Sequence, residues 1–197
     1  MSSLRADDVG FSPEDTAELM ATVEESVDQL TSLVGNLLDS SRLAAGVVKP
    51  ELQRVYLDEI VHRAILGIPR GTAGLDRVKV EVGDTAVMAD AGLLERVLVN
   101  VVDNAMRYAP GGIVRVNAGR VGDRVLVNVV DEGPGIRRAQ VEELFAPFQR
   151  PGDHDNTTGV GLGLSVAKGF VEAMGGSIAA SATPGGGLTV EIELAAP

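Results

Sequence analysis

The stretch Asp90-Ala-Gly-Leu-Leu-Glu-Arg-Val-Leu-Val-Asn100-Val-Val-Asp103-Asn104-Ala-Met-Arg107-Tyr108 decides how this chain folds. Asp90 is a helix-capping residue, and Leu94, Val97, Leu98, Val101 and Ala105 recur at helical spacing on one face. The spacing predicts a helix packed on a core, ended by Ala109-Pro110-Gly111-Gly112. Asn100 and Asn104 stand four apart on one face, with Arg107 and Tyr108 one turn on. Two carboxamides, a guanidinium and a phenol in line suit a phosphate-bearing ligand, and a carboxamide oxygen is a hard ligand suited to Mg²⁺. Taken alone, the same pattern fits a solvated helix face equally well.

Beyond that helix, Ile113 to Ala118 and Arg124 to Val130 alternate around Val121-Gly122-Asp123, which reads as an antiparallel hairpin. Asp131-Glu-Gly133-Pro-Gly135-Ile136 follows directly. An acid at a strand end, then two glycines, lets backbone approach a flat ligand and lets Asp131 accept from an exocyclic amine, although a plain tight turn has the same residues. A short helix is expected from about Arg138 to Leu144. Phe145-Ala-Pro-Phe148-Gln-Arg150 could anchor a mobile lid whose arginine swings toward phosphate; two core aromatics and a surface arginine fit it as well. A polar loop runs from Ala146 to Val160.

Gly159-Val160-Gly161-Leu162-Gly163-Leu164 opens a helix to Met174. Glycine-rich backbone entering a helix N-terminus offers N–H groups to phosphate. The dinucleotide-binding version requires a strand immediately before the glycines, and polar loop stands there instead. The P-loop version requires Gly-Lys-Ser/Thr, which is absent. Ser177 to Ala182 and Leu188 to Leu194 form a last hairpin around Thr183-Pro184-Gly185-Gly186-Gly187.

Toward the N-terminus, Ser12-Pro13-Glu14-Asp15 is a helix start with a capping-box acid. Met20, Val23, Val27, Leu30, Val34 and Leu37 then alternate three and four apart, the seam of a helix bundle or coiled coil. The helix runs to about Leu43 and stops near Gly46. Such a seam needs a partner helix from another chain or another segment, unless it is an ordinary core helix. Between the two long helices come a strand or linker (Glu51 to Leu57), a short helix (Asp58 to Leu66), a Pro/Gly-rich loop and two short strands (Val78 to Val82, Ala86 to Ala89). Hairpins mixed with helices point to an α+β, two-layer sandwich with helices on one face of a mixed sheet.

The 197 residues suit one domain with an appendage; 45% are hydrophobic, Trp is absent and aromatics are few, so the core must be aliphatic. With no cysteine, disulfides and cysteine-based metal sites are excluded. A net charge of −11 argues against a nucleic-acid binder. It does not preclude a polyanionic ligand, since charge is screened beyond roughly 8 Å and local donors decide. No run approaches the roughly 18 apolar residues of a membrane span, and the first residues lack the apolar core of a signal peptide.

The four polar motifs, in this order, resemble the N, G1, F and G2 boxes of sensor histidine kinases, from roughly Ser12 to Leu194. Leu37-Leu38-Asp39-Ser40-Ser41-Arg42-Leu43 looks like the end of that family's second dimerisation helix. The run Gly161-Leu-Gly-Leu-Ser-Val-Ala-Lys-Gly-Phe-Val-Glu-Ala-Met-Gly-Gly is most similar to potassium-responsive KdpD-type kinases.

The resemblance implies the ATP-binding sandwich shared with gyrase, Hsp90 and MutL. Residues 1–46 would be part of a dimerisation and phosphoacceptor helical domain, the end of its first helix and its second; residues 47–197 would be the ATP-binding domain. Asn104 would hold Mg²⁺ and Asn100 would lie beside it, with Arg107 on phosphate and Tyr108 against the nucleotide. Asp131 would bond the adenine amine, with Gly133, Gly135 and Ile136 around the base. Phe148, Gly159, Val160, Gly161, Leu162, Gly163 and Leu164 would form the lid and phosphate-binding backbone, and Arg150 would neutralise the γ-phosphate. The hydrolytic relatives carry a glutamate where Asn100 stands, so transfer rather than hydrolysis is implied.

The family's phosphoacceptor histidine, in its acidic and Arg-x-Pro-Leu context, is not found. His62 reads as a helix-surface residue and His154 as a loop residue. The chain is therefore expected to be a fragment that binds ATP without phosphorylating itself. The implied partners are a second copy in the full-length protein and a response regulator, with membrane anchoring only through upstream segments of a cell-membrane protein and this piece cytoplasmic. A serine-directed kinase of the anti-sigma-factor type and a non-catalytic scaffold are the alternatives. The seam helix argues against the first and the intact motifs against the second.

Overall fold

The computed structural model describes residues 12–68, 75–135, 140–148 and 161–197. In chain order the elements are α1 (Pro13–Ala44), β1 (Gln53–Tyr56), α2 (Leu57–Leu66), β2 (Val78–Glu81), β3 (Ala86–Ala89), α3 (Ala91–Tyr108), β4 (Val114–Val121), β5 (Arg124–Asp131), α4 (Gly163–Ala173), β6 (Ser177–Ala182) and β7 (Leu188–Ala195). Among the described residues, 3-10 turns at Leu75–Arg77 and Glu142–Phe145 join them.

The caps form as the sequence predicts. The Asp15 N–H donates to Ser12 Oγ at 3.0 Å, and the Ser12 N–H donates to Asp15 Oδ2 at 3.0 Å. Asp90 Oδ1 accepts from the Gly92 and Leu93 N–H groups, while Oδ2 accepts from the Glu51 N–H and so ties the linker to the start of α3. The short helix expected near Arg138 to Leu144 is instead the turn Glu142–Phe145, with residues 136–139 outside the described set. Pro147 pushes Ala146 into extended backbone (ψ 135), which halts the coil after one tight turn.

The sheet runs β1-β3-β7-β5-β4-β2, with β6 also paired to β7. All pairings are antiparallel except β2 with β4. Val125, Val127 and Val129 of β5 and Val190, Ile192 and Leu194 of β7 are buried, and α2, α3 and α4 cover this face. The core is aliphatic, with Phe170 among its largest buried side chains. The two-layer sandwich expected from the sequence is the architecture found.

Most of the seam of α1 is bare. Met20, Val23, Val27, Leu30, Val34 and Leu37 are each more than half exposed. Among the described residues the helix's end is what docks on the rest of the chain. Leu43 fills the notch left by Gly169 on α4, where an added Cβ would fall 2.6 Å from Leu43 Cδ1. Asp39 is 4% exposed and is ion-paired to Arg96 on α3. Removing Arg96 leaves the buried carboxylate with only the longer Arg42 pair at 3.9 Å. Arg96→Ala is expected to lower unfolding stability by about 1–2 kcal/mol, discounted because the arginine is half exposed. Adding Asp39→Asn should recover most of that loss. Denaturant midpoints of the parent, single and double variants check this; an Arg96→Ala midpoint equal to the parent's would contradict it.

Candidate functional site: a nucleotide-type cleft at the ends of α3 and α4

The valine-rich strand β5 ends at Asp131, whose backbone leaves the sheet beside the C-terminal end of α3. Gly133 is obligatory there: an added Cβ would sit 2.6 Å from the Tyr108 carbonyl oxygen and 2.9 Å from Asp131 Oδ1. The loop after β5 therefore lies directly against the last turn of the asparagine helix. Asp131 is 4% exposed, and its Oδ1 accepts from the Gly133 N–H at 2.8 Å and the Leu188 N–H at 3.1 Å. Among the described residues nothing bonds to Oδ2, so that oxygen can accept from a donor outside the chain. Burial pushes the Asp131 carboxyl above the usual aspartate range, and the two N–H donors pull it only part of the way back.

The β6–β7 turn completes this wall. Gly187 (φ 99) lies so close to Asp131 that a Cβ would overlap the Asp131 carbonyl oxygen. Gly135 (φ 72) lies against Gly187, with 3.0 Å from its ideal Cβ position to the Gly187 carbonyl. From sequence, residues 183–187 are expected only to turn a hairpin. Three successive glycines, where a hairpin needs one or two, were the signal of a close approach.

At the other end of the cleft, Gly163 starts α4 with its ideal Cβ position 3.3 Å from Asn100 Oδ1. No side chain caps α4, and its first bond, Val166 N–H to the Leu162 carbonyl, leaves the N–H groups before it pointing outward. Asn100 and Asn104 are half-buried, and among the described residues nothing bonds to either carboxamide. Arg107 is engaged by Asp103 at 2.8 Å, and Tyr108 is 37% exposed. The Phe148 N–H donates to the Gly161 carbonyl at 3.1 Å, with Phe148 in the left-handed region (φ 63) and its ring 66% exposed. Phe145 is half-buried against the core, under Lys168.

The four motifs thus form one connected shell. Asn100 meets Gly163, Gly161 meets Phe148, Tyr108 meets Gly133, and Asp131 meets the β6–β7 turn. Leu162 and Leu164, expected at the ligand, bury their side chains (3% and 7% exposed), so only their backbone is available to it. Among the described residues of this glycine run the two leucines face inward while Gly163 lies against Asn100. Ile136, Arg150, Gly159, Val160 and His154 lie outside the described residues. His62 is exposed on α2, its Nδ1 2.6 Å from the Asp58 carbonyl, away from the cleft motifs.

With this geometry in view, residues 89–197 match the family of histidine kinase-, DNA gyrase B- and HSP90-like ATPases, and the chain belongs to that family. Its relatives narrow the comparison. It is 71% identical, over its whole length, to the sensor protein KdpD of Mycobacterium tuberculosis, of which it spans 24%. It is 37% identical over 87% of its length to the alginate biosynthesis sensor protein KinB of Pseudomonas aeruginosa, of which it spans 29%. Among solved structures it matches the mycobacterial sensor histidine kinase MprB (TM-score 0.64, 27% identity, 73% of this chain and 98% of that one). It also matches full-length ShkA in complex with AMPPNP (TM-score 0.72, 26% identity, 97% of this chain and 41% of that one). The family expected from the four motifs is the one found, and its KdpD-type resemblance is borne out. Among the described residues no helix is long and apolar enough to cross a membrane.

Proposed function

We propose that this chain is the ATP-binding catalytic module of a sensor histidine kinase, transferring the γ-phosphoryl group of ATP to a histidine on another segment for relay to a response-regulator aspartate. The observation that carries the reading is the single shell joining Asn100, Gly163, Tyr108, Gly133 and Asp131. On this reading a base lies between Asp131 Oδ2 and the glycine backbone at one end, and phosphates lie between the asparagines and the open N–H groups of α4 at the other.

Mg²⁺ suits the donor set: Asn104 presents a half-buried, unbonded carboxamide oxygen. Among the described residues no group of three His, Cys, Asp or Glu side chains is placed to hold an ion. Asn104 would therefore share the metal with the phosphates and water. Bound there, Mg²⁺ would neutralise charge developing on the phosphates. The chain's own residues do the rest. Asn100 flanks the phosphates, Arg107 reaches them from the next turn, and Asp131 orients the base. The α4 backbone offers N–H groups to the developing charge. Arg150 is assigned to the γ-phosphate by its position in the motif. Asn100, unlike a carboxylate, cannot draw a proton from water, which favours transfer over hydrolysis.

Residues 1–46 are read as part of a dimerisation domain and 47–197 as the ATP-binding domain. The exposed seam of α1 supports a homodimer, because apolar residues repeating three and four apart are buried only by another helix. A response regulator is the second partner, nucleic acid is not one, and membrane attachment belongs to upstream segments. This piece is assigned to the cytoplasm and the full-length protein to the bacterial cell membrane. A serine-directed kinase on this fold finds no favouring observation.

Calorimetric titration should give saturable Mg-ATP binding in the micromolar-to-millimolar range, and a histidine-bearing dimerisation domain supplied in trans should become labelled from ATP. No saturation at millimolar Mg-ATP would sink the reading. Binding without label transfer would restrict it to a nucleotide-dependent scaffold.

A further inference from the structure

We infer that Arg77 is a positioning residue for the nucleobase end of the cleft, an assignment that rests on the ATP-binding reading above. Arg77 closes the 3-10 turn Leu75–Arg77 at the head of β2, an edge strand. Its Nη1 donates to the Ala109 carbonyl at 2.9 Å and to the Gly112 carbonyl at 2.6 Å. Both carbonyls belong to the turn that ends the asparagine helix. A guanidinium suits this place twice over: α3's last carbonyls lack intrahelical donors, and a helix C-terminus favours a cation.

The turn that Arg77 holds is the one on which the base wall rests. Its first neighbour, Tyr108, presents the carbonyl that Gly133 packs against. At Gly112 an added Cβ would lie 3.3 Å from the Cβ of Glu132. Glu132 Oε2 accepts from the Ile113 N–H at 3.2 Å, and its Oε1 pairs with Arg115 at 2.9 Å. Glu132 itself lies between Asp131, which faces the base, and Gly133. The turn is therefore pinned on one side by Arg77 and on the other by Glu132, and the backbone on both sides of Glu132 forms the base wall. With Arg77 removed, two carbonyls lose a charged donor, and the contact between Tyr108 and Gly133 loses its outer support.

A positioning role predicts a selective effect. Arg77→Ala should weaken Mg-ATP binding about tenfold, as expected for losing a charge-assisted hydrogen-bond pair behind the wall. Binding of Mg-tripolyphosphate, which engages only the phosphate end, should change less than about twofold. Arg77→Lys should restore most of the ATP affinity, because an ammonium can also donate to two carbonyls. In the ligand-free protein the Gly133 and Leu188 amide resonances, both bonded to Asp131, should shift in Arg77→Ala and return toward the parent in Arg77→Lys.

Unmoved amides overturn the inference whatever the nucleotide data show. Moved amides with ATP and tripolyphosphate weakened equally overturn it too, since Arg77 would then act on overall stability. If the parent fails to bind Mg-ATP at all, the failure belongs to the nucleotide reading and is visible in the parent's own isotherm, and the positioning role falls with it.

Discussion

Asn104→Ala should lower Mg-ATP affinity at least about tenfold and phosphoryl transfer further, on the order of a hundredfold, because alignment and charge neutralisation dominate that chemistry. The substitution removes one half-buried oxygen and disturbs little else. Position 104 flanks the buried stripe of Leu94, Val97, Leu98, Val101 and Ala105 on α3 and is itself half-buried. No described residue depends on the carboxamide for a hydrogen bond, and alanine is the best helix former. Thermal stability should therefore stay near the parent's while nucleotide titration and transfer assays collapse. Asn104→Asp sharpens the test, since it keeps an oxygen but adds a charge facing the phosphates. An Asn104→Ala isotherm that overlays the parent's would remove Asn104 from the metal site.

Asp131→Asn should produce the second large effect, a loss of ATP affinity of about ten- to a hundredfold with a change in base preference. Asparagine can keep its Oδ1 on the Gly133 and Leu188 N–H groups, so the wall should stand. Its other end then carries an NH₂ group, a donor facing adenine's own amino donor. Two donors repel, whereas the 6-oxo group of inosine triphosphate would accept. The ratio of ITP to ATP affinity is therefore expected to rise above the parent's. An unchanged ratio would argue that Asp131 does not face the base.

The same variant has a stability signature. The Asp131 carboxyl is pushed up by burial in the native state. The folded protein holds that proton more tightly than the unfolded chain does, so the stabilisation is complete below the unfolded pKa and is lost as pH rises through the folded one. Denaturant midpoints of the parent should carry this loss from the ordinary aspartate pKa upward, and Asp131→Asn should be free of it.

Some of this could be read from the chain alone. The asparagine helix was legible because Asp90, a clean 3.6-residue stripe and Pro110-Gly111-Gly112 agree on its start, face and end. The β4–β5 hairpin was legible from strict alternation around Gly122. The cleft residues emerged because each lies in a short local pattern. What stayed hidden depends on pairs remote in sequence. Leu188 bonds Asp131 from 57 residues away, as Asp39 meets Arg96 across 57, and Arg77 reaches Gly112 across 35. No local periodicity encodes such pairs. Leu162 and Leu164 were drawn toward the ligand by their motif, yet a leucine next to a cleft glycine gains more by turning into the aliphatic core.

The position of β7 carries a consequence for biosynthesis. It lies inside the sheet, between β5 and β6, yet it is made after both. While a ribosome is still translating residues before Leu188, β5 has no inner neighbour, and Asp131 lacks one of its two amide donors. The nascent chain must wait with an open sheet edge, the arrangement most exposed to pairing with other chains. A transcript cut short by that one hairpin would thus yield a polypeptide with every polar motif present but without the Gly187 wall and the Leu188 donor beside Asp131.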